Sequence, residues 1–104
     1  MDEFEKRVSD AIVEERDALE KLNAKVKEHD RKAKVLRKAA QDARDNGDDD
    51  LARTADNDAQ LQEFDANFDR ARADAERAKI SGKYEALDIY RKLMEEKKKA
   101  SKSE

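Results

Sequence analysis

The chain is predicted to be an all-α protein, a long antiparallel helical hairpin of coiled-coil type whose turn falls at residues 45–50. Three observations predict it. Proline is absent and the only glycines in 104 residues are Gly47 and Gly82, so two long runs lack a helix breaker. Most other residues are Ala, Leu, Glu, Lys, Arg and Gln, which favour helix, with Asp, a capping residue, as the abundant exception. Apolar residues recur at alternating spacings of three and four, the signature of a helix with one buried stripe.

Composition narrows what this hairpin can be. With 49% charged and 37% hydrophobic residues there is too little apolar mass for a thick core, so a single domain over 1–104 must bury narrow stripes between helices. Cysteine is absent, which removes disulfides and thiolate chemistry. No apolar run approaches the roughly 20 residues of a membrane span. The opening Met1-Asp2-Glu3-Phe4-Glu5 is too acidic for a signal or transit peptide, so a cytoplasmic protein is expected.

The first helix is expected over residues 2–45. Asp2 can cap it, with Glu5 three residues on at capping-box spacing. Ile12, Leu19, Val26, Ala33 and Ala40 form one heptad row and Leu22, Leu36 and Ala43 the other, with Glu15 and His29 as polar intruders and Phe4 and Val8 extending the stripe backwards.

The turn is expected at 46–49, within the tip Asp45, Asn46, Gly47, Asp48, Asp49, Asp50. Asn46-Gly47 supplies a left-handed residue to end one helix, and an aspartate after it caps the next, where a carboxylate suits the positive helix end.

A second helix is expected over residues 50–98, followed by a flexible basic tail at 99–104. Leu61, Phe64, Phe68, Ala71, Ala75 and Ala78 are its expected seam. Ser81-Gly82 is a candidate kink or break, and a break there would make residues 83–98 a third helix and the fold a three-helix bundle. Beyond it Ile80, Tyr84, Leu87, Ile89, Tyr90, Leu93 and Met94 spread over more of the helix surface than one neighbouring helix covers. That width marks them as a face for a partner or a second copy.

Folding the helices back about the tip brings together residues whose numbers sum to about 97, with Leu36 near Leu61, Ala33 near Phe64, His29 near Phe68, Leu22 near Ala75, Leu19 near Ala78, Val8 near Ile89 and Phe4 near Leu93. The charges favour this direction. Residues 21–40 carry 8 bases and 2 acids and lie against 55–74, with six acids and two arginines, while the acidic residues 1–20 lie beside Lys83, Arg91 and Lys92.

No motif carries chemistry. Aligned on Gly47, a calcium loop would need a ligand at Arg44 and a bidentate Glu at Arg53, and both are basic. His29 is the lone histidine and fits a packing role, in which protonation would loosen the helix pair. Tyr84 and Tyr90 fit anchors better than catalytic phenols. Arg31, Lys32, Lys34, Arg37 and Lys38, and Lys97, Lys98, Lys99 and Lys102, lack interleaved aromatics and fit solvated faces. There is no nucleophile beside a base, no glycine-rich phosphate loop and no Glu-x-x-His pair, so no catalytic residue, metal or cofactor is expected.

One junction resembles known proteins. Ala40-x-x-Ala43-x-x-x-Gly47-Asp48-Asp49-Asp50-Leu51-Ala52-Arg53-x-Ala55 resembles the hairpin junction of the phage-shock protein A family, membrane-remodelling helical proteins whose amphipathic N-terminal helix has no counterpart here. Ala43-Arg44-Asp45-Asn46-Gly47-Asp48 is similar to the acidic coiled-coil tip of the Gre transcript-cleavage factors, though the residues after Asp48 depart from it. A helix stop, Gly-Asp and a helix restart recur on capping physics alone, so neither likeness assigns a family.

The expectation is therefore a non-enzymatic protein-protein interaction module, an adaptor, small chaperone or inhibitor, whose partner is another protein or a second copy in a homodimer. The alternatives are a charged effector of nucleic-acid machinery, working through the acidic tip or a basic patch, and a peripheral assembly protein on anionic membranes.

Overall fold

A computed structural model describes residues 2–103; Met1 and Glu104 lie outside the described residues, and so does the last residue of the expected tail. Two helices account for almost all of them, α1 over Glu3–Asp45 and α2 over Asp49–Ser103, paired as an antiparallel hairpin. No strand occurs among the described residues.

The ends of the helices follow from capping. Asp2 accepts the Glu5 amide at 2.9 Å and the Lys6 amide reaches its carbonyl, so Asp2 is the N-cap of α1. Only half of a capping box forms, because the Glu5 carboxylate goes instead to Arg91. At the other end Asp48 N bonds Ala43 O at 2.8 Å and Gly47 N bonds Arg44 O at 3.0 Å, the paired bonds of a Schellman stop. That stop needs a left-handed residue, and Gly47 has φ +78°. Asp48 then accepts the Leu51 amide at 3.1 Å and opens α2.

α2 passes through Ser81-Gly82 without interruption, so no third helix forms. One glycine costs a helix roughly 1 kcal/mol against alanine. Ile80 and Leu87, buried on either side of it, hold that stretch of α2 in place at a larger gain. The same helix takes in Lys97, Lys98 and Lys99, where no residue opposes helix.

Contacts divide the chain into two units. One, the turn unit, is Glu20–Asp74; the other, the terminal unit, is Met1–Leu19 with Ala75–Glu104.

In the turn unit the α1 row is the one its heptads predict: Leu22, Ala33, Ala40 and Ala43 are buried and Val26, His29 and Leu36 half-buried. The α2 row is not. Ala52, Ala55, Ala59, Ala66, Asp69 and Ala73 are buried, while Leu61, Phe64 and Phe68 are 64%, 68% and 59% exposed and Ala71 is exposed with them. The expected contacts of Leu36, Ala33 and His29 with Leu61, Phe64 and Phe68 are thus corrected, and His29 meets Gln62 and Asp69. The reason is continuity of phase. Ala52, Ala59, Ala66 and Ala73 stand seven apart and continue at the same interval into Ile80, Leu87 and Met94, whereas the Leu61 row runs into Gly82 and Glu85. A helix can present only one seam to its neighbour, and alanine lets the backbones approach closely.

In the terminal unit the seam is aliphatic. Ile12, Ile80 and Leu87 form a buried cluster with Val8 and Leu19 packed against it. Phe4 packs on Tyr90, with ring centroids 4.4 Å apart, and not on Leu93, which is exposed along with Ile89. Ala75 and Ala78 are exposed too, so they face neither Leu22 nor Leu19.

Ion pairs place the register within a few residues of the expected one. Lys83 pairs with Glu15 at 2.5 Å and Arg91 with Glu5 at 3.2 Å, joining the acidic start of the chain to later basic residues. In the turn unit Arg37 joins Asp56 at 3.0 Å and Glu63 at 2.8 Å, and Arg44 also joins Asp56. Asp30 with Arg70 reverses the polarity at one position.

Candidate functional site

The feature of the turn unit that packing does not consume lies on α2, opposite the alanine row. Leu61, Phe64, Phe68 and Ala71 follow one another at spacings of three, four and three, which puts them on one outward row of the helix. Asp58 and Asp65 flank the row on one edge, and neither makes an ion pair among the described residues. Arg72 continues that edge, with its guanidinium 6.0 Å from the Phe68 ring centroid and 3.7 Å from Asp69. Asn57, Gln60, Leu61 and Phe64 line a shallow hollow at the start of the row. Large apolar side chains in such a row are rare on a solvated helix face, because each leaves apolar area in water that the fold could have removed.

Behind this row, on the buried side of the same helix, sits a polar layer. His29 Nδ1 lies 2.6 Å from Gln62 Oε1, and His29 Nε2 lies 3.7 Å from Asp69 Oδ2. Asp69 is the buried charged residue of the turn unit, at 7% exposure. With the amide oxygen as acceptor, the imidazole donates from Nδ1. The layer satisfies polar groups that the seam would otherwise strand, and Gln62 also lines a shallow hollow with Arg31, Lys32, Val35 and Leu36.

Of the residues expected as a partner face, Ile80 and Leu87 are buried against the Ile12 cluster, and Tyr90 and Met94 are half-buried. Tyr84, Ile89 and Leu93 point outward, Tyr84 with the Arg16 guanidinium 5.4 Å over its ring. The Tyr90 hydroxyl donates to Asp2. The Glu5 amide first, and that hydroxyl second, hold the Asp2 carboxyl below its ordinary value; the same contact raises the Tyr90 phenol.

The tip residues are used in turn chemistry. Asp48 caps α2, Asp45 accepts from Gln41 at 3.0 Å, and Asp49 and Asp50 occupy the first turn of α2, where negative charge suits the helix end. Among the described residues no group of three or more His, Asp or Glu is placed to hold a metal ion. Three of the five residues of the basic patch at 31–38 are neutralised in place. Arg31 makes two bonds to Glu28 and lowers its carboxyl, Lys32 stands 3.9 Å from the same carboxylate, and Arg37 is held across the helices. Lys34 and Lys38 make no ion pair among the described residues.

Sequence reasoning singled out Leu61, Phe64 and Phe68 but put them on the wrong side of α2. The signal that would have corrected it is the seven-residue interval from Ala52 to Met94, which is longer and more regular than the Leu61 row. No helix of the described residues is long and apolar enough to cross a membrane. Compared with models of known families, with curated proteins and with solved structures, the chain matches none.

Proposed function

We propose that this chain is a non-enzymatic helical interaction module, an adaptor, small chaperone or inhibitor by class, that binds protein through apolar surface its own hairpin leaves uncovered. The observation that carries this reading is the outward row Leu61, Phe64, Phe68 on a helix that turns Ala52, Ala55, Ala59, Ala66 and Ala73 inward. A sequence under no demand but folding would put its bulky residues inside and its small ones outside. Here the order is reversed. A helix that presents apolar anchors at successive turns uses the same geometry by which helices dock on protein grooves and on one another.

The matching experiment compares the full chain with a Phe64→Ser, Phe68→Ser variant, each immobilised and exposed to an extract of the native host. Because both side chains stand in water, the variant keeps its helicity, read by circular dichroism. Retention of a defined protein, or of a second copy of the chain, by the wild type and not by the variant supports the reading. Retention that ignores both phenylalanines, or none at all, overturns it.

A further inference from the structure

Resting on that reading, we infer that the outward row of α2 is covered by a second copy of this chain, laid antiparallel along the same row. The argument is self-complementarity. Continued along α2, the row reads large in its first half, Leu61, Phe64, Phe68, and small in its second, Ala71, Ala75, Ala78, all of them exposed. An antiparallel copy brings each large residue against a small one: Phe68 on Ala71, Phe64 on Ala75, Leu61 on Ala78. Each contact occurs twice because the arrangement is two-fold symmetric. A parallel copy would set phenylalanine on phenylalanine and alanine on alanine, leaving crowding at one end and voids at the other.

The flanking charges choose the same arrangement. Along one edge of the row the order is Asp58, Asp65, Arg72, Lys79, acidic first and basic second. In the antiparallel register that buries the apolar pairs, Asp65 faces Arg72 and Asp58 faces Lys79 of the other copy. The two aspartates, which make no ion pair among the described residues of one chain, find one there. Shifting the copies by one heptad toward the N-terminal side instead puts Asp65 against Asp65, a like-charge contact. Size and charge are independent properties of the row, and both select one register.

Sedimentation equilibrium at low salt on the full chain tests this through charge reversal, which leaves the apolar row untouched. Wild type is expected to be a dimer at micromolar concentration. Asp65→Arg and Arg72→Asp each create two like-charge contacts and should weaken it by roughly tenfold or more. The doubly reversed chain, and an equimolar mixture of the two single variants, should each recover the wild-type affinity. A monomer at all concentrations, or a dimer that neither single reversal weakens, overturns the inference. A dimer weakened by both reversals but not restored by the mixture also overturns it, because an antiparallel pair must accept the swap. None of these results touches the interaction reading itself, which stands or falls on retention through Phe64 and Phe68.

Discussion

The two units solve one problem, holding two helices together, with different materials. In the terminal unit the bulky residues are inside, with Ile12, Ile80 and Leu87 buried together. In the turn unit the buried residues of α2 are alanines and an aspartate, and the bulky ones are outside. Apolar area removed from water holds the first. The second depends more on the His29, Gln62, Asp69 layer and on cross-helix pairs such as Arg37 with Asp56 and Glu63. The contrast shows that hydrophobicity does not by itself choose a seam. Phase along the helix chooses it, and large residues out of phase become surface.

The largest break in the comparison comes from the aliphatic seam. Leu87→Ala deletes a nearly fully buried side chain and should cost about 2–5 kcal/mol, read by chemical denaturation. Hydrogen exchange should rise first around residues 8–19 and 80–90. Next in size is the alanine seam, where enlargement is the sensitive change. Ala66 has no exposed surface, and Ala66→Leu should destabilise by about 1–3 kcal/mol, while Ala71→Leu on the outward row changes stability by about 0.5 kcal/mol at most. Both are measured on the dissociated chain at high dilution, where no second copy covers Ala71, and equal effects at the two alanines would remove the distinction between inner and outer rows.

The smallest effect lies at Asp2. Its carboxyl is lowered in the folded chain, so the stability it adds is present above its unfolded value and is lost as pH falls through the folded one. Wild type should therefore melt above Asp2→Ala at neutral pH, with the gap closing below the ordinary carboxylate range. Tyr90 runs in the opposite sense. Its phenol is raised, and what it contributes is lost as pH rises through that raised value.

Much of the fold was legible from local chemistry. The α1 row, the Asp2 cap, the Gly47 stop and the Asp48 restart depend on residues within a few positions of one another, and each is found where that chemistry puts it. The α2 row was not legible from its strongest apolar residues. Leu61, Phe64 and Phe68 satisfy helical spacing as well as the alanines do, and only the interval carried on to Ile80 and Leu87 separates the two. At Ser81-Gly82 the sequence left a break open as an alternative to one continuous helix, since the local cost of one glycine is visible in sequence and the tertiary gain that overrides it is not. The partner face from Ile80 to Met94 was read as one surface, whereas two of its members, Ile80 and Leu87, are seam residues. What remained unread is the exposure of the Leu61 row, because exposure is a property of the pairing and not of the residues.

The Gly47 turn also grades the contacts by their separation in sequence. Arg44 and Asp56 are 12 residues apart in sequence, His29 and Gln62 are 33, Glu15 and Lys83 are 68, and Asp2 and Tyr90 are 88. Closing a loop costs entropy that grows with its length, and once the turn has formed each further contact closes only a short additional span. A chain that zips outward from Gly47 never has to close a long loop at once. On that route Gly47 would do for the rate of folding what the bulky seam does for its equilibrium.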